Sequence, residues 1–281
     1  MTQAVRWALV VPCLVLVFAQ VRYSSSVYMA EAYILEALKA RKGGDDESAK
    51  RYYLRAADLN PGDPELLYLL GNQWSRLGKM AEAKAAYARS LELAPHIPAT
   101  LIKYAELLAL SDEPKAADEF IGRALKLAPA DWRAEEIAGL VRGVQGDYAG
   151  AAIHFERAQE FSGKPSAKLL NRLAYTLYRL ADYERALGYV DQAVILDALH
   201  PDNHLLRGRI LLGMKRPNDA LGALASAERE YVRRAATNAS ENDKLQETRR
   251  YIVRAQVARG AAEDAAESLA VLRASQGRPP Q

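Results

Sequence analysis

Apolar residues recur three and four positions apart in runs of about fourteen residues, and no stretch alternates with a period of two. That spacing predicts amphipathic helices throughout and no sheet. The runs come in pairs, and the pairs repeat every thirty-four positions. Ala49, Ala83, Ala117 and Ala151 stand in one register, and Tyr53, Tyr87, Ile121 and Phe155 in a second. A third register holds Ala56, Ser90, Ala124 and Ala158, and a fourth Pro61, Pro95 and Pro129. A further position stays small, at Gly71, Ala105, Gly139, Ala174 and Gly208. A place that admits only Gly or Ala is one where two helices approach too closely for a longer side chain, and the large residues of the second register fill the space beside it. Gly78 and Gly146 fall where a first helix must stop, and the prolines close each second helix.

The frames are 30–63, 64–97, 98–131, 132–165, 167–200 and 201–234, with a divergent seventh over 246–279. The fifth is displaced by one residue around Gly163-Lys164-Pro165. Pro201 arrives three residues late, and an irregular insertion lies near 235–245. One helix pair cannot bury its apolar face alone, so the pairs must stack into a one-dimensional core.

Leu70-Gly71 and Trp74, followed by Ala83, Tyr87, Ser90 and Pro95, resemble the tetratricopeptide repeat, whose pattern is W-x2-L-G-x2-Y, then A-x3-F-x2-A, then P. The resemblance implies an all-α, right-handed superhelical solenoid of antiparallel helix pairs over 30–279. It also implies a protein partner held on the concave face, which the first helix of each pair lines. Carried over, the face-lining positions include Tyr68 and Asn72 in the second frame, Asp202 and Arg209 in the sixth, and Lys168, Asn171, Tyr175 and Tyr178 in the fifth. With Arg172 and Arg179, the fifth frame presents a basic, aromatic stripe suited to a peptide carboxylate or an acidic segment. Chaperone-binding members of the family use a Lys and an Arg four apart, as Lys168 and Arg172 stand here. Ile102, Glu106 and Ile137 occupy places where that clamp needs Lys and Asn.

The amino-terminal segment is of another kind. No charged residue lies between Trp7 and Val21, and Ala8 to Ala19 is almost wholly apolar. Residues 1–26 are expected to be a short hydrophobic helix acting as a signal-anchor, with Arg6 and Arg22 reaching the two interfaces. Fifteen helical residues span only about 22 Å, and Pro12 interrupts the run. Val17-Phe18-Ala19 before Gln20 also fits a cleavage site, which would release a soluble carrier. A third possibility is an apolar helix docked on a partner. The charge bias places Arg6 on the cytoplasmic side and the repeats in the periplasm of a bacterial inner membrane.

Composition narrows the chemistry. The 38 basic and 35 acidic residues are too balanced to point to nucleic acid. One cysteine and four histidines leave little for a disulfide framework or a metal centre. His200 and His204 are four apart, but Pro201 opens a helix between them. There is no Gly-rich phosphate loop and no nucleophile elbow. A non-enzymatic role is expected, with no cofactor, metal or small-molecule substrate. The sequence reads as a membrane-tethered interaction scaffold of the cell envelope, an accessory subunit of a polysaccharide-export, pilus or cytochrome c maturation type of complex. Alternatives are a non-catalytic subunit of an integral membrane enzyme or a secreted adaptor.

Overall fold

A computed structural model describes Gln20 and residues 24–164, 166–236, 238 and 240–273 in full, and gives the helical backbone alone for 3–19, 21–23, 239 and 274–276. The described residues form fourteen α-helices and one 3₁₀ turn, with no strand among them. The chain divides into two compact units, Met1–Pro129 and Ala130–Gln281.

In the first unit the helices are α1 (Gln3–Lys42), α2 (Asp46–Leu59), α3 (Pro64–Arg76), α4 (Met80–Leu93), α5 (Pro98–Leu110) and α6 (Pro114–Leu127). The second unit contains α7 (Trp132–Val144), α8 (Tyr148–Ser162), α9 (Ala167–Arg179), α10 (Tyr183–Leu196), α11 (Pro201–Gly213) and α12 (Pro217–Ala235). It ends with a 3₁₀ turn (Ala239–Glu241), α13 (Asn242–Arg259) and α14 (Ala262–Gln276). Within each unit consecutive helices pack as antiparallel pairs, and each pair packs on the next.

Local chemistry sets the boundaries. Asp45, Asp63, Asp131, Asp147 and Asp182 each accept a backbone N–H of the helix they precede, engaging donors that the first turn leaves free. Proline opens α3, α5, α6, α11 and α12, where its missing N–H costs nothing. The first helix of six successive pairs ends on a left-handed residue: Gly44, Gly78, Asp112, Gly146, Ala181 and Lys215. Glycine takes that conformation freely, whereas Asp112, Ala181 and Lys215 adopt it at φ near 60° at a cost of about 1 kcal/mol.

The small and large registers meet as the sequence requires. A Cβ added to Gly71 would stand 2.6 Å from the Tyr87 ring, one on Gly139 2.7 Å from Phe155, and one on Gly208 2.6 Å from Leu224. In the repeats where the large residue is Ile121 or Val190, the small position holds Ala105 or Ala174, all four buried. β-Branched residues concentrate their bulk near their own backbone, which leaves room for one methyl group.

Two expectations need correction. The apolar segment is not a separate short helix, because α1 runs unbroken from Gln3 to Lys42. The side chains that would make the 1–26 anchor lie mostly outside the described residues. The seventh pair begins at Asn242 rather than 246, and α12 extends to Ala235. A buried face of Leu245, Thr248 and Ala255, spaced three and seven residues apart, draws residues 242–245 into α13.

The Tyr53 and Tyr87 hydroxyls differ although the residues share a register. Tyr87 donates to Asn72 Oδ1 at 2.8 Å, whereas the buried Tyr53 hydroxyl has no partner among the described residues. One repeat before Asn72 the sequence has Leu38. An unpaired buried hydroxyl costs about 1–3 kcal/mol. Tyr53→Phe is therefore expected to raise the denaturation midpoint by about 1 kcal/mol of stability, and Tyr87→Phe to lower it by about the same amount. Urea melts of the two variants provide the comparison.

Candidate partner-binding site

α9 carries the stripe singled out in the sequence. Its buried side is Leu169, Leu170, Leu173, Ala174, Thr176 and Leu177. At about 100° per residue, the opposite side collects Lys168, Asn171, Arg172, Tyr175 and Arg179. Lys168, Asn171, Arg172 and Tyr175 line a cleft of about 550 Å³, closed on its other side by α11 with Asp202, Asn203 and Arg209 and by α13 with Lys244 and Glu247. Asp197 and His200, from the connection into α11, complete the wall.

The side chains are held in place by their neighbours. Asn171 Nδ2 donates to Asn203 Oδ1 at 2.8 Å, and the buried Asn203 amide in turn donates to the Ala193 and Asp197 carbonyls. Arg172 Nη1 donates to Glu136 Oε1 at 2.6 Å. That pairing sets a carboxylate of this chain against Arg172, so a clamp built on Lys168 and Arg172 would have to share or displace Glu136. Arg179 lies over the Tyr148 ring at 4.2 Å and donates to the Tyr175 hydroxyl at 3.0 Å. Arg209 sits among three rings, 5.9 Å from Tyr175, 5.1 Å from Tyr178 and 5.2 Å from Tyr251, close enough for cation–π attraction. Its Nη1 donates to Glu247 Oε1 at 3.3 Å, and its Nε–H has no acceptor among the described residues.

Asp202 ties three helices together. Tyr231 of α12 donates its hydroxyl to Asp202 Oδ1, and Lys244 of α13 donates to both oxygens, at 2.7 and 2.9 Å. Burial works to raise the Asp202 pKa. The hydrogen bonds from Lys244 and Tyr231, with the charges of Lys244 and His200, outweigh it and hold the carboxyl below its ordinary value. Burial and the Asp202 hydrogen bond push the Tyr231 hydroxyl up.

A second cleft of about 260 Å³ lies between α7, α8 and α9 and shares Asn171, Arg172 and Tyr175 with the first. Tyr68 and Asn72 are not part of either. They line a cleft of about 390 Å³ in the first unit, beside Tyr87 and Lys103. His204 Nε2 pairs with the Ala198 carbonyl at 2.7 Å, and His200 precedes Pro201 at the start of α11.

Sequence reasoning missed three side chains of α13: Lys244, which precedes the expected start of the seventh frame, and Glu247 and Tyr251, which lie inside that frame where the repeat pattern is weakest. The spacing of Leu245, Thr248, Ile252 and Ala255 is the signal that would have placed that helix.

Models of the tetratricopeptide repeat match residues 64–97 and 106–165, and a model of the anaphase-promoting complex, cyclosome, subunit 3 matches 144–227. Residues 64–97 and 106–165 are therefore similar to tetratricopeptide repeats. Among curated proteins it is similar to the mouse cell division cycle protein 16 homolog, at 27% identity over 164 residues, 55% of this chain and 26% of that protein. The chain thus spans about a quarter of that relative's length. Among solved structures, the APC/C hetero-tetramer Cut9–Hcn1 matches with a TM-score of 0.69 at 16% identity, over 78% of this chain and 43% of that one. Pseudomonas aeruginosa pilF matches with a TM-score of 0.62 at 20% identity, over 79% of this chain and 99% of that one. These two likenesses concern the fold.

Proposed function

We propose that this chain is a membrane-tethered scaffold that holds a segment of a partner protein in the cleft around α9, as an accessory subunit of a larger complex in the bacterial envelope. The observation that carries the docking reading is the cleft itself. Lys168, Asn171, Arg172 and Tyr175, one stripe of a single helix, line a space of about 550 Å³ whose walls are tied by hydrogen bonds from Asn171 to α11, from Arg172 to α7 and from Lys244 of α13 to Asp202 of α11. Rigid walls lower the ordering cost of binding. The match of residues 144–227 to a model of an anaphase-promoting complex subunit and the fold likeness to the Cut9–Hcn1 hetero-tetramer support a role within a multi-subunit complex.

The tether rests on the uncharged run from Trp7 to Val21. Among the described residues no helix is long and apolar enough to cross a membrane, and the run lies largely outside them. Periplasmic placement follows from the charge bias around the run, and a polysaccharide-export, pilus or cytochrome c maturation type of complex is the setting such a subunit suits.

Lys168→Glu is expected to reduce recovery of the partner from native membranes at least ten-fold, since a charge-assisted contact contributes about 1.5–3 kcal/mol. Quantitative pull-down with circular dichroism on the same sample checks this. Undiminished recovery with unchanged helicity overturns the site. Release of the full chain by carbonate without detergent overturns the tether.

A further inference from the structure

We propose that α9 reads an extended segment in which an apolar side chain is accompanied, two or three positions away, by an acidic one. This rests on the docking reading above and adds the chemistry of the segment.

The smaller cleft is the apolar half. Gly139 and Gly143 contribute no side chain to it, which leaves about 260 Å³ between Leu140, Val144, Phe155 and the Tyr148 ring. Each of the polar groups of Arg172, Thr176 and Tyr175 at its edge has a partner within the protein. Arg172 pairs with Glu136, the Thr176 hydroxyl donates to the Arg172 carbonyl at 2.8 Å, and the Tyr175 hydroxyl accepts from Arg179. The inner wall of Leu140, Val144 and Phe155 offers a polar ligand group nothing in return for the water it would lose, whereas an aliphatic or aromatic one is favoured there.

The flanks of this pocket are cationic. α9 carries Lys168, Arg172 and Arg179 and no acidic residue. Arg172 is neutralised by Glu136, but Lys168 and Arg179 have no carboxylate among the described residues. Of the carboxylates in the larger cleft, Asp202 pairs with Lys244 and Glu247 with Arg209. Asp197 remains, with Lys168; Arg179 stands outside this cleft, next to Tyr148 and Tyr175. Arg179 is held over the Tyr148 ring at 4.2 Å, and a guanidinium in contact with a ring keeps N–H groups for a carboxylate.

Spacing sets the register. Lys168 lies two turns from Tyr175 and Arg179 about one turn from it, roughly 10 Å and 6 Å at ~1.5 Å per residue. An extended chain covers such distances in about two to three residues.

The test is to pan a random heptapeptide library on the purified full-length chain and measure the enriched peptides by fluorescence anisotropy. The expected consensus pairs Leu, Ile, Met or Phe with Asp or Glu two or three positions away. Gly143→Leu fills the apolar pocket, and its Cβ meets only Ala151 Cβ at 4.0 Å. It should weaken such peptides about ten-fold or more and remove the apolar preference. Lys168→Glu and Arg179→Glu should each weaken them about ten-fold and remove the acidic preference. A consensus without this pairing that is still lost in Asn171→Trp overturns this inference alone and leaves the docking reading standing. Absence of enrichment, or binding indifferent to all four substitutions, overturns both.

Discussion

Asp202→Ala should lower the stability of the second unit by about 2–3 kcal/mol and release α13 and α14 first. The Tyr231 side chain is fully buried, and its hydroxyl would lose its acceptor, at a cost of about 1–3 kcal/mol. Loss of the half-exposed Lys244 pair adds under about 1 kcal/mol. Because Asp202 joins α11 to α12 and α13, hydrogen exchange should accelerate over 242–273 before it does so over α7 to α10. Asp202→Asn, which keeps an acceptor for Tyr231, should cost less. The same carboxylate sets a pH dependence. Its folded pKa is depressed, so its contribution is fully present above the unfolded value of about 3.9 and is lost as pH falls through the lower folded value. Thermal melts between pH 5 and pH 2 should show a component of destabilisation in the wild type that Asp202→Asn lacks. Equal acid sensitivity in both would remove Asp202 as its source.

Gly139→Ala should cost about 1–3 kcal/mol, the range for overpacking a close-packed core. The added methyl would stand 2.7 Å from a Phe155 ring that is 3% exposed and has little room to withdraw. Phe155→Val alone removes bulk and leaves a cavity, a loss of similar size. The two together recreate the Ala174–Val190 pairing of the next repeat. The double variant should therefore be more stable than the sum of the single losses predicts, by at least about 1 kcal/mol in a double-mutant cycle. Additive losses would mean that the two registers do not nest as described.

That nesting is what made the fold legible. Pro64, Pro98, Trp132, Ala167 and Pro201 begin helices at the starts of their frames, because proline, aspartate caps and a thirty-four-residue period act through local geometry. Less local facts were hidden. The left-handed turns at Asp112, Ala181 and Lys215 carry no glycine to mark them, and only their distance from Gly78 and Gly146 betrays them. The candidate site was half legible. The face of α9 followed from helical spacing, but the pairing of Arg172 with Glu136, thirty-six residues away, did not. Nor did the separation of Tyr68 and Asn72 into a cleft of the first unit. Lys244 was concealed by an insertion that broke the period, and Glu247 by the divergence of the seventh frame.

Site-specific photo-cross-linking in native membranes tests the docking claim most directly. A photoreactive amino acid would replace Lys168 in the cleft or, as a control, Glu184 on the exposed side of α10. The account predicts one partner protein cross-linked from position 168 and not from 184, with the contact mapped by mass spectrometry to a short segment of that partner. Cross-links from 184 alone, or equally from both positions, would contradict it.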